Sequence, residues 1–185
     1  MFFGPGDVIG FSGRGFVSDL INVATFGVPR IGLSHVAIVV PGGLVFESTT
    51  LAPEPCVFQH RKVDGVQAHW IDQRIAGYDG KVFHYPLTER LFNFQSTELL
   101  NFLTSLLGTT YDAIAAIRSA GRKFSWVESR LHPENLHSIF CSEMVAAAHR
   151  KVGLFHTENV ARWSPNMLVR TEQREGILGK PVRLK

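Results

Sequence analysis

The stretch from Leu33 to Thr50 constrains this chain more than any other part of it. Ser34 to Val40 is a β-branched, apolar run, Pro41-Gly42-Gly43 follows, and Leu44 to Thr50 is β-rich again. Two such runs joined by a Pro-Gly-Gly turn read as a buried antiparallel hairpin. His35 opens the first strand, and Glu47 lies twelve residues on, in the second. Polar groups in a buried run are costly unless they are paired or functional. Strand side chains alternate, so a loop of odd length centred on Pro41 puts His35 and Glu47 opposite each other on one face. A two-residue turn at Gly42-Gly43 would break that parity. Paired, the carboxylate would orient the imidazole and fix its tautomer. Unpaired, His35 is an ordinary core histidine and Glu47 an exposed strand residue.

An oriented histidine needs a group to deprotonate, and the chain has two cysteines, Cys56 and Cys141. Cys56 follows Pro55 and enters a β-like run, with no helix start nearby to stabilise a thiolate, so it reads as structural. From Cys141, apolar residues recur at Met144, Val145 and Ala148, the i+3, i+4, i+7 spacing of an amphipathic helix. That pattern puts Cys141 in the first turn. There, unpaired backbone N–H groups and the helix dipole would stabilise a thiolate and hold an oxyanion. A small buried residue on a core helix fits the same spacing. Two isolated cysteines form no disulfide framework, and both are expected to be free thiols.

The rest of the chain supplies the scaffold. Asp7 to Phe11 reads as a strand and Phe16 to Phe26 as a helix ended by Gly27 and Pro29. Val57 to Val63, Val66 to Trp70 and Lys81 to Leu87 read as strands, with a short helix over Ile71 to Tyr78. Thr97 is the expected N-cap of a helix from Glu98 to Leu107 that Gly108 closes. A second helix is expected from Tyr111-Asp112 to Ala120, and Arg122 to His137, without a clear period, reads as loop. Ser164-Pro165 begins a last helix with Pro at its first position, and Pro181 to Leu184 closes a sheet edge. The order implies an α+β fold, an antiparallel sheet with helices on one side. With 185 residues and no linker or repeat, residues 1–185 form a single domain.

Composition removes several classes of function. A net charge of +3 with no dense Lys/Arg tract is too weak for nucleic acid. Eight histidines invite a metal, but there is no H-E-x-x-H and no paired cysteine motif, so neither metal nor cofactor is expected. Gly13-Arg14-Gly15 lacks the Lys-Ser/Thr ending of a phosphate loop and reads as a turn. No apolar run reaches the roughly 18 residues of a transmembrane segment. Met1 to Asp7 does not read as a signal peptide, so the expected location is cytoplasmic, or outside by a signal-independent route.

Taken in order, Gly6-Asp7-Val8-Ile9, Leu33-Ser34-His35-Val36-Ala37-Ile38-Val39, Val45-Phe46-Glu47-Ser48, Tyr111-Asp112, Phe140-Cys141-Ser142-Glu143-Met144-Val145 and Ser164-Pro165-Asn166-Met167-Leu168 carry a family resemblance. The chain resembles the circularly permuted branch of the NlpC/P60 papain-like superfamily, in particular YiiX/YebB-like hydrolases, with lecithin:retinol acyltransferase-like proteins as more distant relatives. In that branch the histidine strand precedes the cysteine helix. The resemblance covers roughly residues 6 to 168 and leaves Thr50 to Phe94 unmatched. It implies Cys141 as nucleophile, His35 as base and Glu47 as the orienting residue. Tyr111 and Ser142 are then candidate substrate-binding residues, although Asp112 beside Tyr111 could simply cap its helix. The implied reaction is thiol-dependent cleavage of a peptide or peptidoglycan-type amide. Ester or amide cleavage, or acyl transfer, on a lipid-like substrate is the alternative, and a non-enzymatic module of the same fold is the third reading.

Overall fold

The computed structural model describes residues 2–13, 32–49, 54–109, 133–157 and 163–185, and within 133–140 the backbone alone. The expected helix at Phe16–Phe26, the one beginning at Tyr111, and Tyr111 itself lie outside the described residues. Strands β1 (Val8–Gly13), β2 (His35–Val40), β3 (Leu44–Thr49), β4 (Gly65–Trp70), β5 (Gly80–Tyr85) and β6 (Val182–Arg183) form one sheet in the order β4-β3-β2-β1-β5-β6. Every neighbouring pair is antiparallel. The described helices are α1 (Ile71–Gly77), α2 (Asn93–Ser105), α3 (Pro133–Lys151) and α4 (Pro165–Arg174). The molecule is therefore α+β, as the element order implies.

The central hairpin forms as its sequence dictates. Val40 pairs with Leu44 and Ile38 with Phe46, so the connection is the three residues Pro41-Gly42-Gly43. Gly42 and Gly43 both take positive φ, 87° and 76°, a region where a side chain would be strained. The loop is odd in length, as a shared face requires, but it is centred on Gly42 and not on Pro41. Carried along the strands, this register puts Ala37 opposite Glu47. His35 is thus a diagonal neighbour of Glu47 on the same face, within reach of a long side chain.

Strand alternation sends the two faces of the sheet into different layers. Val36, Ile38, Val40, Phe46, Val66 and Ala68 pack with Leu99 and Leu103 of α2, Cys141 and Val145 of α3, and Leu168 of α4. Ile9, Phe11, Ala37, Val39, Val45 and Val82 point the other way and meet Ile71, Ile75 and Tyr78. The helices are therefore not all on one side. The apolar stripe Ile71, Ile75, Tyr78, at i, i+4 and i+7, folds α1 and its C-cap against the second face.

Several boundaries move for local reasons. The segment from Val57 to Val63 is not a strand: it is a turn, with His60 at φ 54° and its N–H donating to the Cys56 carbonyl. Helix α2 starts ahead of Thr97, at Asn93. Its N-terminal N–H, that of Phe92, donates to Gln95 Oε1 at 3.0 Å, and the Thr97 hydroxyl bonds inside the helix, to the Asn93 carbonyl. Residues 133–137 are helical and not loop. Helix α4 starts as expected, with Ser164 Oγ accepting from the Met167 N–H and Pro165 next to the cap. Both cysteines are free thiols and buried.

Candidate active site

Cys141 does not open its helix. Helix α3 begins at Pro133, so the thiol lies about two turns inside it. Pro133 needs no N–H partner and is pre-set for a helical first turn, and the described helix runs on from it although the residues after it carry little apolar period. Two consequences follow for the chemistry. An N–H two turns into a helix is committed to the carbonyl four residues back, so the Cys141 N–H is not an open oxyanion donor. The helix terminus, whose field fades within a turn, gives little support to a thiolate at this position.

The group that contacts the thiol is His35. The imidazole hydrogen-bonds the Cys141 side chain on one side, and on the other its Nε2 donates to Glu47 Oε2 at 2.7 Å. With Nε2 engaged by the carboxylate, Nδ1 is the nitrogen left for sulfur. The thiol belongs to the helix layer and Glu47 to the opposite face of the sheet. His35 touches both because it is the first residue of β2, at the end of the strand. Burial disfavours its charged form. The Cys141 charge and hydrogen bond, and then Glu47, outweigh burial and push the imidazole pKa up to about 9. The His35 side chain is 13% exposed, whereas Glu47 and Cys141 are completely buried. The solvent-facing edge of the imidazole is thus where the cluster meets water.

Glu47 carries more partners than the sequence suggests. Its Oε1 accepts from His69 Nδ1 at 2.8 Å and from Arg74 Nε at 2.5 Å. Its Oε2 accepts from Arg74 Nη2 at 3.0 Å as well as from His35. Burial opposes the carboxylate charge. Hydrogen bonds from His35 and His69 and the charges of His35 and Arg74 overcome this and hold Glu47 well below the usual range. Arg74 lies 4.9 Å above the Phe11 ring and 5.6 Å from that of Tyr78. Its own pKa is raised: burial works against the cation, but the Glu47 charge and hydrogen bonds prevail.

His69 and Arg74 escape a reading of the sequence alone, although weak signals exist. His69 sits in Val66-Gln67-Ala68-His69, where alternation sends it to the same buried face as Glu47. Arg74, at i+3 from Ile71, lies beside the apolar stripe of a seven-residue helix. The segment between Thr50 and Phe94, which the family resemblance leaves unmatched, therefore supplies the supports of the carboxylate. Ser142 is fully buried, and its hydroxyl donates to the Trp163 carbonyl at 2.5 Å. It ties α3 to the segment before α4 rather than facing solvent. Cys56 is also buried, its sulfur accepting from the Ala68 N–H at 3.5 Å.

No family model matches the chain, and no curated protein matches it. Among solved structures, the chain is similar to the metalloprotein YiiX from Escherichia coli O157:H7, of the DUF1105 group. The TM-score is 0.51 at 20% identity, over 97% of this chain and 88% of that one. At this identity the likeness is one of fold: the chain has a YiiX-like fold. Among the described residues, no group of three or more His, Cys, Asp or Glu side chains is arranged to hold a metal ion. No helix among them is long and apolar enough to cross a membrane.

Proposed function

We propose that this chain is a cysteine hydrolase that cleaves an amide bond, of peptide or peptidoglycan type, through an acyl-enzyme on Cys141. One observation carries the reading: a single imidazole, His35, contacts the thiol of Cys141 and a fully buried carboxylate, Glu47, at once. That is the nucleophile, base and orienter arrangement of covalent acyl transfer.

In this mechanism the Cys141 sulfur, its proton held by His35, attacks the carbonyl carbon, and the C=O electrons move to oxygen. The oxyanion collapses, the C–N bond breaks, and the leaving amine takes the proton from His35 Nδ1. Water then attacks the thioester as His35 accepts its proton. The acid leaves and the thiolate is restored. Glu47 stays ionised throughout and keeps Nε2 protonated, which fixes Nδ1 as the working nitrogen.

The description of the YiiX structure as a metalloprotein suggests a second chemistry. The donor set here does not fit it. Both oxygens of Glu47 are engaged by His35, His69 and Arg74, and the guanidinium stands where a metal cation would be repelled.

The test is a substrate panel of muropeptides, acyl-phospholipids and thioesters, run beside Cys141→Ala. Turnover of an amide that the variant lacks is expected. Turnover confined to the lipid or thioester arm would move the assignment to acyl-lipid chemistry. Equal activity in both proteins would overturn the nucleophile. Iodoacetamide labelling gives a substrate-free check: Cys141 should react fast, and His35→Ala should slow it. Slow labelling indifferent to His35 favours a binding module that keeps the fold without the chemistry.

A further inference from the structure

We propose that Arg74 is a positioning residue that draws charge away from Glu47, so that His35 is oriented by the carboxylate yet remains acidic enough to protonate a leaving amine. This deepens the cysteine hydrolase reading and rests on it. The geometry is specific. Oε2 of Glu47 accepts from His35 Nε2 at 2.7 Å and from Arg74 Nη2 at 3.0 Å, so one oxygen serves both cations. Arg74 Nε also binds Oε1, giving a two-point clasp that fixes the carboxylate plane. His69 Nδ1 occupies the remaining side of Oε1 and blocks rotation.

A fully buried carboxylate with only an imidazolium as partner would hold that imidazolium very tightly. Such a histidine orients well but gives up its proton poorly. A permanent cation on the same oxygen raises the electrostatic potential at His35 and so disfavours its imidazolium, while the hydrogen bond to the carboxylate stays in place. Lysine would supply charge but not the planar fork. The groups that bear on this balance are His35 and Cys141 on one side and His69 and Arg74 on the other. Glu54, Tyr78 and Asp79 act on or near the guanidinium. Phe11 and Tyr78 cover the guanidinium with ring faces, which shields it from water.

The experiment compares wild type with Arg74→Gln and Arg74→Lys by two readouts. The first is the imidazole titration of His35, followed by NMR, which requires no substrate. Arg74→Gln should raise the His35 midpoint by about one pH unit or more, and Arg74→Lys should return most of that shift. The second is the rate on an amide against that on an activated ester of the same acyl group. Arg74→Gln should lower amide kcat about tenfold or more and change the ester rate by less than about threefold, because an activated leaving group needs no proton. Equal losses on amide and ester with an unmoved His35 titration would overturn the proposal and leave Arg74 a packing residue. If Arg74→Gln does not fold, Arg74→Met, which keeps an unbranched side chain and removes the charge, decides: a raised His35 midpoint with a loss confined to the amide supports the proposal, and wild-type values of both refute it. A shifted titration in a protein that hydrolyses nothing on the panel overturns the hydrolase reading but not the electrostatic role.

Discussion

Two of the buried histidine–carboxylate pairs among the described residues, His35–Glu47 and His149–Glu172, differ in what the imidazole has left to offer. His35 gives Nε2 to Glu47 at 2.7 Å and faces the Cys141 thiol with its other nitrogen. His149, on the same helix as Cys141, gives Nδ1 to Glu172 at 2.7 Å, but its Nε2 donates to the Gly6 carbonyl at 2.9 Å. A carbonyl and a carboxylate only accept, so both nitrogens of His149 carry hydrogens and the ring is an imidazolium. Burial disfavours this, but the charge and hydrogen bond of Glu172, helped by the Gly6 carbonyl and the Asp7 charge, raise its pKa. Nearby, Asp7 accepts from His84 Nε2 at 2.7 Å and from the N–H groups of Gly4 and Leu87, locking the N-terminal turn to β5. A histidine paired with a carboxylate is therefore not by itself a catalytic signature. An imidazole fully engaged at both ends is a brace, and one with a thiol at its free end can transfer protons.

Removing one partner from each pair breaks the comparison most directly. On the proposed hydrolase mechanism, Cys141→Ala or His35→Ala is expected to lower amide turnover by roughly 10³-fold or more, while urea midpoints move little for Cys141→Ala. Glu172→Ala should do the reverse. It leaves the His149 cation buried and unpaired, at a cost of about 3–5 kcal/mol in denaturant unfolding, with kcat of the remaining folded protein near wild type. A large activity loss without unfolding in Glu172→Ala would erase the distinction between brace and catalyst.

pH sharpens it. His35 is raised to about 9, so turnover that needs its imidazolium is expected to fall as pH rises through about 9. Both raised histidines contribute stability that is complete below the unfolded value of about 6.5. That contribution is lost as pH rises through each folded value. Glu47 runs the other way. Its contribution is present above the ordinary carboxylate range and is lost as pH falls through its depressed folded pKa. Thermal melts of wild type and of His149→Leu across pH 6 to 10 check the sign: the alkaline decline should be shallower in the variant.

The smallest effect belongs to Ser142. Ser142→Ala removes the hydroxyl bond to the Trp163 carbonyl and should cost about 1 kcal/mol of stability, with KM unchanged. A raised KM would restore Ser142 to a substrate-binding role.

The sequence by itself determined that a hairpin forms here, because β-branched runs flank Pro41-Gly42-Gly43 and two glycines there can take positive φ. It determined the last helix too, since Ser164 and Pro165 write a cap and a first turn locally. It singled out His35, Glu47 and Cys141 as residues out of keeping with their surroundings. Only the tertiary structure decided what surrounds them. The helical residues from Pro133 have little apolar period to announce them, and they place the thiol inside the helix, away from a terminus, with His35 beside it. The diagonal register of His35 and Glu47 depends on a loop centred one residue later than Pro41. Arg74 and His69 reach Glu47 only because β4 pairs beside β3 and α1 folds back over the same face. These are long-range contacts between residues more than twenty positions apart, and no local pattern records them.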